Sequence, residues 1–243
     1  SGDILWQFKY DGIDAIKQSM KYSLPASPTA VDTNSDGYVD KVYIGDLGGQ
    51  VWVFDLSFNG ITKKSNSLWS GKRLFKAPAS LSEKHNIYHQ VSVAFDKNEI
   101  PWVFFGTGDR ENPIESGTER FYAVKDDGLG DYPRDENNLK DVTSSTNNTF
   151  TPPPNPKKGW YIRLTEYKEQ ALGKAAVFNN LVYFTTFSPR ETDPDVCTTG
   201  STARLYVMEY RSGGGALEVD AMADLGGSAG TRWKIIGSGV PSA

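Results

Sequence analysis

Residues 31–56 read "VDTNSDGYVDKVYIGDLGGQVWVFDL" and combine an acidic stretch with two strand-like segments. Val42–Gly45 and Gln50–Asp55 are rich in β-branched and aromatic residues, and Asp and Gly bound them. This pattern predicts two neighbouring antiparallel strands of one sheet. The acidic stretch lies immediately before the first of these strands. Its charge therefore belongs to a turn and does not interrupt a strand.

The same strand pair recurs twice along the chain. Val103–Gly106 leads to Arg120–Lys125, and Val182–Thr185 leads to Arg204–Glu209. A segment of small residues precedes each pair, and a Trp-bearing segment follows it. The small-residue segments are Thr29–Val31, Ser92–Phe95 and Ala175–Phe178, and the tryptophans are Trp69, Trp160 and Trp233. Four strands in a repeated unit predict an all-β fold of the propeller type.

We therefore expect residues 1–243 to form part of a β-propeller, with about three four-stranded blades, flanking strands and long loop insertions. The blade repeats lie approximately at 23–77, 86–166 and 171–238. Ile4–Phe8 is predicted to be the outer strand of a further blade. The polar, Pro-rich insertion 126–157 is predicted to be a surface loop, partly polyproline II or disordered.

The number of repeats has a consequence for partners. Propellers use roughly four to eight blades, so three blades cannot close a ring. The final segment, 240–243, resembles residues 24–27 before the first repeat and suggests that a further blade begins there. We expect the remaining part of the propeller to be supplied by another chain or segment, because open sheet edges otherwise stay uncovered.

Composition narrows the possible functions. The 243 residues include 30 acidic and 26 basic residues, which gives no support for a nucleic-acid or anionic-membrane partner. No apolar run approaches the ~18 residues that a membrane span requires. The single cysteine, Cys197, is either a reduced thiol or half of a disulfide with a partner outside the chain. In an oxidising compartment we expect the intermolecular disulfide.

The turn before the second strand differs in length between the three repeats. The third repeat uses only Asn179 and Asn180, and the second uses residues 96–101. The first repeat inserts the nine residues 32–40, which we call the acidic loop. Three carboxylates in so short a turn repel one another unless a cation offsets their charge.

The spacing of the acidic loop is that of an EF-hand-type calcium loop. Gly37 occupies the sixth position, where a sharp turn needs a positive φ. The Tyr38 carbonyl takes the seventh position, and Asp40, at the ninth, has to close the site in place of a distant Glu. The predicted Ca²⁺ ligands are Asp32, Asn34, Asp36, Tyr38 and Asp40. The alternative interpretation is a solvated turn without metal.

The repeats and the acidic loop together resemble the C-terminal propeller of the PilY family, whose members are bacterial type IV pilus proteins. The matching stretches span nearly the whole chain. They are the acidic loop running into "VYIGDLGGQVWVFDL", "WVFFGTGDREN" leading to "RFYAVKDDG", and "GKAAVFNNLVYFTTFSP" leading to "ARLYVMEY". The resemblance implies a modified quinoprotein-like β-propeller and calcium binding in the acidic loop.

The resemblance also implies a function. It implies a non-enzymatic role in pilus assembly and retraction, twitching motility and surface adhesion, at the bacterial cell surface or pilus tip. Pilus subunits, in particular minor pilins, are the implied partners. Two other interpretations remain open from the residues: a quinoprotein-type dehydrogenase propeller, and an integrin-like calcium-binding adhesion propeller.

Overall fold

The computed structural model describes residues 2–56, 69–78, 85–112, 117–189, 200–217 and 229–238. These residues form an all-β fold of three sheets, without a closed barrel. The described helical segments are single 3-10 turns at Lys17–Ser19, Glu136–Asn138 and Ser145–Asn147. Within the described ranges, no helix has the length and apolarity needed to cross a membrane.

Sheet 1 is formed from the first repeat. Its strands pair in chain order as β1 (Thr29–Val31), β2 (Lys41–Gly45), β3 (Gln50–Asp55) and β4 (Ser70–Lys76). The buried Asp46 carboxylate holds the β2–β3 turn, accepting hydrogen bonds from the Gly48 N–H (2.8 Å), the Gln50 N–H (3.0 Å) and the Trp52 indole (2.9 Å). These bonds fix the register of the hairpin.

Sheet 2 is formed from the second repeat. Its strands are β5 (Ser92–Phe95), β6 (Pro101–Gly106), β7 (Arg120–Lys125), β8 (Lys140–Asp141) and β9 (Gly159–Arg163). They are ordered β5-β6-β7-β9-β8, and β8 is parallel to β9 whereas the other pairs are antiparallel.

Sheet 3 is formed from the third repeat. Its strands are β10 (Gln170–Ala171), β11 (Ala176–Phe178), β12 (Leu181–Ser188), β13 (Thr202–Glu209) and β14 (Trp233–Gly237). Both β10 and β11 pair with β12, followed by β13 and β14. A small-residue strand and a strand pair are therefore present in all three sheets. Trp160 and Trp233 lie on β9 and β14, whereas Trp69 lies immediately before β4.

The three sheets stack face to face, with sheet 2 in the middle. Side chains alternate along its strands, as the pleat of a β-strand requires. On β7, Phe121 faces sheet 3 and its ring lies parallel to that of Phe184, with centroids 3.7 Å apart. The next residue, Tyr122, faces sheet 1 and packs at 4.6 Å from the Phe75 ring. Burial of both faces explains the nearly continuous apolar sequences of β6 and β7.

The small-residue strands lie next to one another at one end of the stack. The Thr29 hydroxyl of β1 donates to the Val91 carbonyl (2.5 Å), and the Ser92 hydroxyl of β5 donates to the Ala175 carbonyl (2.5 Å). β1 thus lies beside β5, and β5 beside β11. Small side chains let the three sheets approach closely at this end, as the inner strands of propeller blades do.

The insertion 126–157 differs from the surface loop expected for it. It contributes β8 to sheet 2, and its residues Leu139 and Val142 are buried. It also reaches sheet 1, because the Arg134 N–H donates to the Leu74 carbonyl (2.9 Å) and the Lys76 N–H donates to the Arg134 carbonyl (2.8 Å). The few apolar anchors in a polar sequence hold this segment against two sheets.

The prediction of a flanking strand at Ile4–Phe8 is wrong, because no strand is assigned there. Trp6 and Phe8 instead cover the outer face of sheet 1. The Trp6 ring lies 6.2 Å from that of Trp69, and the Phe8 ring lies 5.4 Å from that of Phe54. These aromatic residues pack by burial of area and edge-to-face contact without joining the hydrogen-bonded ladder. Residues 240–243 and Cys197 lie outside the described residues.

Candidate functional site

The acidic loop connects β1 to β2 and is organised by its own side chains. The Asp32 carboxylate accepts from the Gly37 N–H (2.7 Å) and the Asn34 N–H (3.2 Å). The Asn34 side-chain oxygen accepts from the Asp36 N–H (2.9 Å), and the Asp36 carboxylate accepts from the Tyr38 N–H (2.9 Å). Asp32, Asn34 and Asp36 thus each accept from backbone N–H groups two to five residues further on, as in Asx turns.

The backbone of the loop has the conformation expected from its spacing. Gly37 has φ of +89°, and Ser35 has φ of +60°. At the sixth position of the loop, a positive φ is easily reached only by glycine. The positive φ at Gly37 therefore confirms the prediction made for its backbone.

Asp40 closes the loop and is its only buried carboxylate, at 1% exposure. Its Oδ2 atom accepts from both the N–H (2.8 Å) and the hydroxyl (2.7 Å) of Thr33. Its Oδ1 atom is buried and has no hydrogen-bond partner. An unpaired buried oxygen on a carboxylate is costly, and a bound cation is one of the few groups that could satisfy it.

The electrostatics of the loop favour ionised ligands. The hydrogen bond from the Gly37 N–H lowers the pKa of Asp32 below its usual value, and further backbone donors act in the same direction. Hydrogen bonds to the charged form of a carboxyl stabilise that form. Asp32 is therefore already a carboxylate, the form that binds a hard cation, well below neutral pH.

The structure brings the predicted ligands into one turn but does not close them into a complete metal cage. Across the described ranges, no group of three or more His, Cys, Asp or Glu side chains is arranged to hold a metal ion. The donor set still fits Ca²⁺ in kind, since it offers only carboxylate, amide and carbonyl oxygens. The unpaired Asp40 Oδ1 is the observation that agrees best with a cation.

A buried polar network starts directly behind the loop, and sequence reasoning did not find it. Lys41, next to Asp40, donates to Asp126 Oδ2 (2.7 Å), which also accepts from the Tyr43 hydroxyl (2.8 Å). The Tyr132 hydroxyl donates to the other oxygen, Asp126 Oδ1 (2.9 Å). Burial works to raise the pKa of Asp126, but the Lys41 ammonium and these donors lower it below its usual value.

This network links the acidic loop to the insertion. Asp126 begins the insertion and Tyr132 lies within it. Lys41, the first strand residue after the loop, is bonded to Asp126, which also accepts from Tyr132. Arg134 extends the link, with an ion pair to Asp127 of 2.6 Å. The only sequence signal was a Lys after the loop and an Asp-Asp pair after β7. Neither indicates a partner across about 85 residues.

Comparison with known proteins agrees with this fold. No family model matches the chain. A curated relative, the type IV pilus biogenesis factor PilY1 homolog of Xylella fastidiosa (strain Temecula1 / ATCC 700964), is 27% identical over 241 residues. That match covers 85% of this chain and 16% of the relative.

A solved structure matches the fold. The crystal structure of the Pseudomonas aeruginosa PilY1 C-terminal domain superposes with a TM-score of 0.58 and 21% identity, covering 77% of this chain and 47% of that one. The chain thus spans about half of the solved relative and about one sixth of the curated one.

The fold and these comparisons together define an all-β domain of stacked sheets, of the kind found in the C-terminal domain of a pilus protein. The chain is similar in sequence to the PilY1 homolog and in fold to the PilY1 C-terminal domain, so the resemblance to the PilY family found in the sequence is confirmed.

Proposed function

We propose that this chain is a calcium-binding propeller portion of a type IV pilus biogenesis protein, acting through protein contacts in pilus assembly, retraction and surface adhesion. The observation that carries the biogenesis role is the similarity to the PilY1 homolog over 85% of the chain. The proposed site of action is the cell surface or pilus tip, and the proposed role involves no chemical step.

The calcium part of the proposal rests on the acidic loop. Asp32, Asn34, Asp36 and Asp40 would hold the ion with side-chain oxygens, and Tyr38 with its carbonyl. The positive φ of Gly37 and the unpaired, buried Oδ1 of Asp40 support this donor set. A bound Ca²⁺ would offset two of the three negative charges of the carboxylates, whose mutual repulsion would otherwise loosen the turn.

Hydrogen bonds connect the acidic loop to other parts of the domain. Asp40 is bonded to Thr33 inside the loop, and the Asp40 carbonyl accepts from the Leu56 N–H (2.7 Å) at the end of β3. Lys41 continues the chain into the network of Asp126 and Tyr132. A shift of Asp40 on ion binding would therefore also displace residues at the end of β3 and in the insertion.

Partner contact is supported by what the sheets leave uncovered. The small-residue strands line an open cavity of about 560 Å³, with Thr29, Ser92 and Ala176 on its wall. Phe178 at the end of β11 is 75% exposed, and Leu5, beside the aromatic cover of sheet 1, is 68% exposed. We propose that neighbouring blades, or minor pilins, cover these surfaces.

Calorimetric titration of the chelator-stripped protein tests the calcium part. We expect one site in the parent and none in Asp36→Ala. Asp14→Asn is the matched control, because Asp14 also accepts backbone N–H bonds in an exposed turn (2.8 and 2.9 Å to Ile16 and Lys17). An unchanged titration in Asp36→Ala would reject the loop as the site.

The pilus role is tested in the full-length gene product. Asp36→Ala combined with Asp40→Ala should alter surface piliation or twitching while export stays normal, and Asp14→Asn should leave both unchanged. If the double variant assembles and retracts pili like the parent, the ion is at most a local structural element. If deletion of the whole gene leaves piliation and twitching intact, the pilus role itself is wrong.

A further inference from the structure

A second candidate site lies between sheets 2 and 3, far along the chain from the acidic loop. An open cavity of about 250 Å³, which we call the Arg232 cavity, separates the end of β9 from the start of β14. Its wall includes the hydroxyl groups of Thr143 and Ser145 and two guanidinium groups, those of Arg163 and Arg232. The Trp233 ring completes one side.

Arg232 is unusual because it is buried without an acidic partner. It is 9% exposed, and in the described part of the chain it makes no ion pair. Its guanidinium donates only to backbone carbonyls, those of Gly213 (3.3 Å), Thr143 (3.4 Å) and Ser144 (3.5 Å). These distances are long for N–H···O bonds, and buried charges in proteins are normally paired.

The surroundings of Arg232 are positive overall. Burial lowers the pKa of Arg232, and burial together with the Arg232 charge lowers the pKa of Lys140. Asp141 is the nearby carboxylate, and it faces Arg163 at 3.5 Å. Arg163, Arg232 and Lys140 thus place several cationic groups at or near the cavity, and the Asp141 carboxylate is already engaged by Arg163.

Two further carboxylates near the cavity are also occupied. Glu136 pairs with Arg120 at 2.6 Å. Glu169 accepts from the hydroxyl of Tyr206, a residue of the cavity wall, at 3.0 Å. Among the described residues, the Arg232 guanidinium therefore lies at the cavity with backbone carbonyls as acceptors and without a carboxylate paired to it.

We propose that the Arg232 cavity binds a carboxylate, supplied by a Glu or Asp side chain in an acidic segment of a partner protein. A guanidinium fork matches a carboxylate in shape and charge, and the hydroxyls of Thr143 and Ser145 add donors. This site is independent of the acidic loop and of the calcium proposal.

The surroundings favour a peptide over an acidic sugar. The Arg204 guanidinium lies over the Trp233 ring at 5.0 Å, so that ring face is not free to stack on a sugar. Next to the cavity, β14 exposes Ile235 (61%) and Ile236 (48%). An extended peptide with its carboxylate in the cavity would cover these apolar side chains, which a single sugar would not reach.

Titration of the intact chain with three probes tests the proposal: an acetylated, amidated triglutamate peptide, the matching triglutamine peptide, and glucuronate. We expect triglutamate to bind at one site, to bind about tenfold more tightly than triglutamine, and to weaken with added salt. Arg163→Gln should weaken triglutamate binding about threefold and Arg232→Lys about tenfold. Lys97→Gln, which removes an exposed charge elsewhere, should leave binding unchanged.

Three outcomes would overturn the proposal. The first is equal binding of triglutamate and triglutamine. The second is an Arg163→Gln variant that binds like Lys97→Gln, and this variant decides the matter if Arg232→Lys does not fold. The third is tighter binding of glucuronate than of triglutamate, which would assign the cavity to an acidic sugar instead of a protein segment.

Discussion

The turn between β1 and β2 of sheet 1 and the turn between β11 and β12 of sheet 3 both connect antiparallel strands, but they differ greatly in length. In sheet 3, Phe178 pairs directly with Leu181, and two Asn residues complete the turn. In sheet 1, Val31 pairs directly with Lys41, yet nine residues stand between them. The strands meet in the same way in both hairpins, so two residues are enough to join them. The seven additional residues of the acidic loop therefore serve a purpose other than strand connection.

The two turns also differ in how they satisfy their backbone. Asn179 and Asn180 adopt φ values of +50° and +62°, a conformation that Asn tolerates better than most residues. The acidic loop instead uses side-chain oxygens to hold its N–H groups and leaves Asp40 Oδ1 buried and unpaired. The long turn is thus left with a buried polar atom that has no partner among the described residues.

The largest expected effect on calcium binding comes from giving the β1–β2 turn the length and sequence of the β11–β12 turn. Replacing residues 32–40 by Asn-Asn should abolish calcium binding in calorimetry while the far-ultraviolet circular dichroism spectrum keeps its β-sheet shape. The second Asn can keep the bond that the Leu56 N–H donates to the Asp40 carbonyl, as the Asn180 carbonyl accepts from the Tyr210 N–H (3.0 Å), so stability should change little. A shortened variant that still titrates with calcium would show that the loop is not the site.

The next largest effect is expected when Asp40 alone is replaced. Calcium at about a hundred times its Kd should raise the free energy of unfolding of the parent by about 2.7 kcal/mol, as linkage requires. In Asp40→Asn that increment should largely disappear, because Asn keeps one acceptor for Thr33 but cannot supply the Oδ1 charge. Urea denaturation with calcium and with chelator measures both values. Equal calcium increments in parent and variant would contradict the role of Asp40.

A smaller effect is expected in the short turn. Asn180→Ala should cost about 1 kcal/mol of stability, because alanine disfavours a φ of +62°. Asn180→Gly should cost less, since glycine reaches this region freely. Neither variant should change the calcium response. Equal unfolding free energies for the Ala and Gly variants would show that backbone conformation does not limit this turn.

The smallest effect concerns pH. The pKa of Asp32 is lowered in the folded protein by the Gly37 N–H, so folding favours the ionised form. The stability this provides is fully present above the unfolded pKa of about 3.9 and is lost as pH falls through the lower folded value. A nuclear magnetic resonance titration of the Asp32 carboxyl carbon should give a pKa below 3.9. A pKa of about 3.9 or higher for the Asp32 carboxyl would contradict this prediction.

The strands could be predicted because each carries a local signal. Nearly continuous apolar runs on β3 and β7 indicate burial, and small residues on β1 indicate close packing. Tryptophans near β4 and on β9 likewise indicate burial at their own positions. The positive φ of Gly37 could be predicted for the same reason, since one residue type is nearly required there.

The features that sequence reasoning missed depend on contacts between distant residues. The insertion 126–157 looked like a loop because its polar composition hides Leu139, whose burial depends on packing with other segments. Trp6 and Phe8 looked like a strand because the same aromatic pattern serves packing and pairing equally well. The Asp126 network and the Arg232 cavity each need partners that the linear order does not indicate.

The position of sheet 2 between the other two sheets has a consequence for how this domain can change over evolutionary time. Among the described residues, no side chain belongs to both large hydrophobic clusters, one shared with sheet 1 and the other with sheet 3. Substitutions in the two outer sheets should therefore have additive effects on stability, because distant sites without common partners act independently. The outer sheets are free to diverge separately, whereas on β7 a shift that suits Phe121 moves Tyr122 as well. Sheet 2 is where compensating pairs of substitutions should accumulate.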